Sequence, residues 1–389
     1  MESYECTVTI LDLNDYCLES IFDYLEGKDL INFAETCSRA RQVFKHWSSF
    51  RYVNFFVVEE ISTYELKLLS IVAENVRKLC IYVDDLNVFL SRNYGKNKNY
   101  FFNKFCMLIN DMTSLQSFGL WQYTKKVSTR SIFLALQKKN LKNLQICAPK
   151  CESAALRSFT ELEMLSLNVQ LSSKDLLKSC QSMRQLRALH LTDRVGNSSL
   201  KDIIYHCSNL QELSFYIKTK KNNINCTTLK GTGATDIFGA LADSAKCLKS
   251  LIVHGIICDL NQAKQLAGIS TLRILKCSFA NADCVLALRN LTLLEELRIS
   301  FKCDVNISSI YLDLIRECAH LYLLSIVDFN VQPDFAIKAA EVRKEFVNRR
   351  PLVLQIYGHR NSTIEPTAAD IDKRLVIYRC MTLQELLKL

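Results

Sequence analysis

Leu272-Arg273-Ile274-Leu275-Lys276-Cys277-Ser278 and Leu294-Glu295-Glu296-Leu297-Arg298-Ile299-Ser300 are one phrase written twice: leucine, two variable residues, leucine, one variable residue, an apolar residue. The same spacing returns at Leu141-Leu144-Ile146, Leu162-Leu165-Leu167, Leu186-Leu189-Leu191, Leu210-Leu213-Phe215, Leu248-Leu251-Val253 and Leu321-Leu324-Ile326. The middle residues, 144, 165, 189, 213, 251, 275, 297 and 324, lie 21, 24, 24, 38, 24, 22 and 27 apart. Chance clustering of leucines does not hold both an internal spacing and a period over so many copies. A period of about 20 to 29 residues belongs to stacked repeats of one strand and one helix.

Within each phrase the apolar residues alternate, as on a strand with one buried face. Between phrases lie helical patterns such as Ser173 to Cys180 and Ser199 to Cys207, each opening on a capping residue. A single unit cannot bury its leucines, so neighbours must stack. The expected fold is α/β: a curved solenoid with a parallel β-sheet on its concave face and helices on its convex face. The repeats resemble leucine-rich repeats. Cys207-Ser208-Asn209-Leu210 and Cys318-Ala319-His320-Leu321, with cysteine just ahead of the strand, resemble the cysteine-containing subclass. Looser copies stand at Leu115-Phe118-Leu120 and Leu354-Ile356, with Leu79-Ile81 as a candidate first strand. The 38-residue interval holds Lys218 to Asp236, rich in Asn, Thr, Lys and Gly, and reads as an insertion looping out of one repeat. A helix is expected over Asp334 to Asn348, with Phe335, Ala339, Val342 and Phe346 on one face.

The amino-terminal stretch has a different period. Leu18, Ile21, Phe22 and Leu25 form an i, i+3, i+4, i+7 face, with Asn14 and Asp15 before it as capping residues and Gly27 after it as a stop. A second helix is expected from Asp29, carrying Leu30, Phe33, Ala34, Cys37, Arg41 and Phe44 along one side. About 45 residues cannot make a comfortable core of this material alone, so a partner surface is expected. Leu11-Asp12-Leu13-Asn14-Asp15, Leu18 through Leu25, Asp29-Leu30 and Cys37-Ser38-Arg39 through Trp47 resemble the F-box family. The resemblance implies a helical trap that docks on a Skp-type adaptor, which in turn holds a cullin and a RING-bearing catalytic subunit. By the same resemblance Leu11, Leu13, Leu18, Ile21, Phe22, Leu25 and Leu30 make or support that contact. The family has proline after the second leucine where this chain has Asn14. Giving up a pre-set backbone angle is expected to cost about 0.5 to 1 kcal/mol.

Composition narrows the remaining classes. With 49% apolar residues, 23% charged residues and four prolines, the chain is expected to be folded over most of its 389 residues. Its seventeen cysteines are odd in number and scattered, and Met1-Glu2-Ser3-Tyr4-Glu5 lacks the basic flank and apolar core of a signal peptide. Reduced thiols in the cytoplasm or nucleus are therefore expected, several of them, such as Cys277, behaving as small apolar groups. Charged residues interrupt every apolar run before the roughly 18 to 20 residues that a membrane helix needs, so no membrane partner is expected. A formal charge of +9 without a dense Lys/Arg block argues against nucleic acid as a partner.

No G-x-S-x-G, H-E-x-x-H, Walker loop or dinucleotide glycine motif occurs, so no catalytic residue and no cofactor is expected. Cys147-Ala148-Pro149-Lys150-Cys151 has no second Cys/His pair nearby, and thiols are expected there rather than a metal site. Function is expected on the concave sheet, on the side chains between the leucines. These are Ser166 and Asn168, His190 and Thr192, Ser214 and Tyr216, Ile252 and His254, Lys276 and Ser278, Arg298 and Ser300, then Gln355 and Tyr357. His190, Tyr216, His254, Lys276, Arg298 and Tyr357 are the expected contacts with a protein substrate, because aromatic and arginine side chains dominate interfaces. The expected organisation is a tail at 1–9, an F-box at 10–55, a connecting helical or degenerate first repeat at 56–110, repeats at 111–358 and a cap at 359–389. The resemblance implies a substrate-recruiting, non-catalytic subunit of a cullin-based ubiquitin ligase. A repeat scaffold that serves no ligase is the alternative.

Overall fold

A computed structural model describes residues 9–58, 61–124, 127–217, 234–346, 350–357 and 376–381. The chain forms two compact units, Met1–Leu162 and Glu163–Leu389.

The first unit opens with three helices, α1 (Asp15–Tyr24), α2 (Gly27–Ala34) and α3 (Ser38–Ser48). Strand β1 (Asn54–Val57), helix α4 (Thr63–Val72) and strands β2 (Lys78–Tyr82), β3 (Ser117–Trp121) and β4 (Asn143–Lys150) follow, with helices at Val83–Tyr94, Lys98–Asp111 and Arg130–Leu136 between the later strands. The four strands pair in chain order and all in parallel. Leu79, Phe118 and Leu144 share one register row and are fully buried. The weak leucine copies at 79–81 and 115–120 are thus strands, and β1, built on Phe55 and Val57, precedes them without any leucine signature.

The apolar spacing after Gly27 predicts one helix starting at Asp29, and the structure corrects this. Gly27 is the first residue of α2, with φ of 52°, and Asp29 lies inside its first turn. The pattern then breaks at Cys37, whose extended backbone and Sγ, accepting from Ala40 N at 3.3 Å, start α3 as a separate helix.

The second unit carries β5 (Met164–Gln170), β6 (Ala188–Leu191), β7 (Glu212–Tyr216), β8 (Ser250–Ile257), β9 (Ile274–Phe279), β10 (Glu296–Phe301), β11 (Leu323–Val327), β12 (Leu352–Tyr357) and β13 (Val376–Met381). These too pair in parallel and in chain order. Leu165, Leu189, Leu213, Leu251, Leu275, Leu297, Leu324 and Leu354 form one unbroken register row. Each is at most 1% exposed. Burying one leucine contributes roughly 1.5 to 3 kcal/mol, so this row and the apolar row two residues on are the spine of the unit.

Helices such as Ser173–Cys180, Leu200–His206, Leu260–Ala267 and Ser308–Glu317 return the chain between strands, as parallel pairing requires. Cys180 ends one of these helices, while Cys207 and Cys318 are C-caps of two others; all three thiols are buried. The helix expected over 334–348 runs only over Phe335–Arg343: residues 344 to 346 form a turn, and 347–349 lie outside the described residues. Residues 218–233, the body of the expected insertion, also lie outside them, as do 359–375 and 382–389 of the expected cap. Among the described residues no helix is long and apolar enough to cross a membrane.

Candidate functional site

Two surfaces carry chemistry that the fold itself does not use, one in each unit. On the helices of the first unit, Phe22 is fully buried at the centre of an aromatic cluster. Its ring lies 5.0 Å from Phe33, 5.1 Å from Phe44 and 5.4 Å from Trp47. The indole N–H of Trp47 donates to Asp23 Oδ1 at 2.9 Å, and the Arg51 guanidinium lies 4.4 Å from the Trp47 ring. Arg39 donates to the Leu13 carbonyl at 2.6 Å and to Asp15 at 3.0 Å, fixing the entry to α1 against α3. Lys67 of α4 pairs with Glu35, tying the helices to the first repeat.

The expected adaptor contacts therefore sort into two kinds. Leu18, Phe22 and Leu30 are buried in the module's own core and shape the surface from beneath. Leu13, Ile21 and Leu25 are half-buried, and the side chain of Leu11 lies outside the described residues. The apolar side chains in solvent are others, among them Ile10, Tyr16, Phe50 and Tyr24, the last 88% exposed. Tyr16, Ser20 and Tyr24 recur at i, i+4, i+8 on α1, on the side away from Leu18 and Phe22. A sequence reading anchored on leucine passes over these tyrosines, though their helical spacing marks them.

The second surface lies on the face of the second unit's sheet that the leucine row does not use. In parallel pairing, Ile252, Lys276, Arg298, Ser325 and Gln355 share one register row, and Ile256, Ser278, Ser300, Val327 and Tyr357 share the next. Between β8 and β9 the register slips: Ile252 faces Lys276, but the next partner of β9 is Ile256 at Ser278, so two extra residues bulge from β8. A bulge re-aims side chains and bends the strand. Here it sits at Val253–Gly255, where Gly255 takes φ of 107° and a Cβ would lie 2.7 Å from the Ile217 carbonyl oxygen. Only glycine fits without strain.

The bulge makes one wall of a cavity of about 300 Å³, whose lining includes Tyr216, His254, Gly255, Lys276, Ser278, Arg298, Ser300, Ser325 and Tyr357. His254 stacks on Tyr216 with centroids 4.4 Å apart and planes within 15°, and its Nε2 lies 3.2 Å from Ser214 Oγ. Burial, reinforced by the Lys276 ammonium, holds the His254 pKa below its ordinary value, so the imidazole is neutral at pH 7. Arg298 has Glu296 at 3.8 Å. The Lys276 ammonium makes no hydrogen bond and no ion pair among the described residues. The hydroxyls of Ser300 and Tyr357 are buried with no hydrogen-bond partner among the described residues.

The structure thus gathers five of the six expected substrate contacts, Tyr216, His254, Lys276, Arg298 and Tyr357, around one cavity. His190 is not in its lining; it faces Glu212 at 3.8 Å, and burial lowers its pKa against the pull of that carboxylate. Tyr357 needs a correction. It occupies the outward row, as alternation requires, yet is only 2% exposed. Facing away from the leucines is therefore not facing bulk water.

A larger cavity of about 440 Å³ is lined by Glu295, Ala319, His320, Tyr322, Arg343 and Arg350. There Glu295 pairs with Arg273, and Arg343 donates to the Arg350 carbonyl at 2.9 Å. Cys147 and Cys151 are half-buried and form no disulfide with each other, and burial together with Glu152 pushes Cys151 up to about 12. Among the described residues no cluster of three His, Cys, Asp or Glu is placed to hold a metal ion.

Comparison with known proteins bears on the helical module. Residues 10–52 match the F-box domain family. No curated protein matches the chain. Among solved structures, an internalin of Listeria monocytogenes is similar at 15% identity and a TM-score of 0.36, over 80% of this chain and 89% of that one. A leucine-rich-repeat protein of Leptospira interrogans is similar at 12% identity and a TM-score of 0.36, over 76% of this chain and 87% of that one.

Proposed function

We propose that this chain, an F-box domain followed by a leucine-rich-repeat-like region of parallel strands, is the substrate-recruiting subunit of a cullin-based ubiquitin ligase. The observation that carries the reading is the F-box match at residues 10–52 ahead of the repeats. The exposed apolar side chains of that module support it. Ile10, Tyr16 and Tyr24 stand in solvent beside half-buried Leu13, Ile21 and Leu25, an arrangement suited to an apolar partner such as a Skp-type adaptor. Through that adaptor the chain joins a cullin and a RING subunit, in the cytoplasm or nucleus. The division of labour we propose gives adaptor binding to residues 10–55 and target binding to the repeats of 111–358.

The chain itself is a non-catalytic adaptor in this reading. It acts by proximity: holding a target lysine beside a charged ubiquitin-conjugating enzyme raises the effective concentration by several orders of magnitude. The F-box surface is tested by co-purifying the full chain with a Skp-type adaptor and cullin, alongside a variant carrying Tyr16→Ala, Ile21→Ala and Tyr24→Ala. Capture by the parent and loss by the variant, with an unchanged helical circular-dichroism signal, is the expected result. Failure of the parent chain to bind overturns the ligase role and leaves a repeat scaffold.

A further inference from the structure

The cavity over β8 to β12 contains a conflict that folding alone does not explain. Lys276 and Arg298 face each other across adjacent strands in the same register row. Neighbouring parallel strands lie about 4.8 Å apart, and like charges directly opposite destabilise a sheet. Glu296, 3.8 Å from Arg298 and already accepting from the Tyr322 hydroxyl, offsets one of the two charges only in part. Among the described residues no carboxylate belongs to the cavity lining.

The polar groups around these cations deepen the conflict. In the next register row stand Ser278 and Ser300, and the hydroxyl of Ser300 is buried without a partner among the described residues. Tyr357, only 2% exposed, lines the same cavity, and its buried phenol hydroxyl has no partner among the described residues. A buried hydroxyl left unpaired costs folding free energy, and two in one cavity beside two cations form a set of donors with nothing to donate to. Two hydroxyl donors, an ammonium and a guanidinium converging on one space are the complement of an oxyanion. The β8 bulge, which only Gly255 permits, carries the His254–Tyr216 stack that forms part of the cavity lining.

We propose that this cavity is an oxyanion-binding site that takes the carboxylate or phosphate of an acidic or phosphorylated side chain on the protein the repeats recruit. The site rests on the target-recruiting reading above and gives it a chemical specificity. The anion sits between Lys276 and Arg298, relieves their repulsion, and accepts from Ser300 and Tyr357. The stacked His254 and Tyr216 rings contact the flanking residue of the same segment.

The test uses the full chain and three pools of otherwise random peptides whose central residue is fixed as phosphoserine, glutamate or serine. The parent chain should retain the phosphoserine or the glutamate pool over the serine pool, and inorganic phosphate should compete. Retention of phosphoserine alone identifies the phosphate as the ligand group; equal retention of glutamate identifies the carboxylate. A variant with Lys276→Met and Arg298→Met should lose the preference by about tenfold or more, and Tyr357→Phe should lose a smaller share.

Equal retention of all three pools, or a preference that survives the double substitution, overturns the proposal. A folding control comes with the variant, because removing two like charges should leave the melting temperature unchanged or higher. A lower one would mean that the cations serve the fold, and it too overturns the proposal. The two readings fail separately. A chain that sorts peptides but does not capture the adaptor refutes the ligase role and keeps the site, and the converse keeps the ligase role and refutes the site.

Discussion

On the helices of residues 15–48 the apolar side chains Tyr16 and Tyr24 stand in water while the polar groups around the core are paired. Trp47 donates to Asp23, Arg39 to Leu13 and Asp15, and His46 lies 2.9 Å from Glu19. On strands β8 to β12 the order is reversed. The apolar row is fully buried, and the outward face holds two neighbouring cations together with two buried hydroxyls that have no partner among the described residues. A surface of the first kind gains by covering carbon, and one of the second kind gains by receiving charge. Each is a poor substitute for the other, so the two units are expected to bind unlike partners and to respond to different substitutions.

The strongest way to separate them is Phe22→Ala. Removing a fully buried phenylalanine from contact with Phe33, Phe44 and Trp47 should destabilise the helices by about 3 to 5 kcal/mol. The chain has two tryptophans, so in a Trp121→Phe background the emission of Trp47 reports on the helices by itself. Its urea midpoint should fall and adaptor capture should be lost, while the peptide preference of the cavity is unchanged. Loss of both activities would show that the two units fold as one and would break the comparison.

The mirror experiment is Gly255→Ala. Placing a Cβ at φ of 107°, 2.7 Å from the Ile217 carbonyl oxygen, should cost about 1 to 3 kcal/mol, confined to the bulge. The amide of Ile217, which donates to the His254 carbonyl at 2.7 Å, should exchange its hydrogen faster, and the cavity's peptide preference should weaken. Adaptor capture should be untouched. An unchanged exchange rate at Ile217 would mean that the bulge is not what shapes this wall.

How legible these features are in the sequence follows from the same contrast. Eight leucine phrases fix eight strands, because a row in which each member pairs with the next tolerates little besides leucine at its centre. Five of the six outward residues chosen by alternation do converge on one cavity, since alternation is a local rule that parallel pairing extends across strands. The bulge in β8 is not legible: nothing in Val253-His254-Gly255-Ile256 announces two extra residues except the glycine itself. The burial of Tyr357 is not legible either, because alternation assigns a side chain to a face and does not say how deeply that face is covered. The break between α2 and α3 is hidden because Leu30, Phe33, Ala34, Cys37 and Phe44 keep a helical period straight through it.

The smallest expected effect concerns Asn14, and its size is informative. The sequence suggests that lacking proline here gives up a pre-set angle, yet Asn14 already takes φ of −70° and ψ of 166°. Proline would fix φ near −65°, and Leu13, at φ of −66° and ψ of 144°, has the extended backbone that a following proline demands. What asparagine adds is a cap: its Oδ1 accepts from Cys17 N at 2.9 Å. Asn14→Pro should therefore lose about 1 kcal/mol of capping and regain about 0.4 to 1 kcal/mol through the unfolded chain, leaving stability within about 1 kcal/mol of the parent. Asn14→Ala loses the cap with no such return and should cost about 1 kcal/mol, read from the Trp47 unfolding midpoint. Because the proline variant leaves the backbone where it is, adaptor capture should also be unchanged. A marked gain in capture by Asn14→Pro would show that this position limits docking after all, and that the helical surface is less complete than its exposed tyrosines suggest.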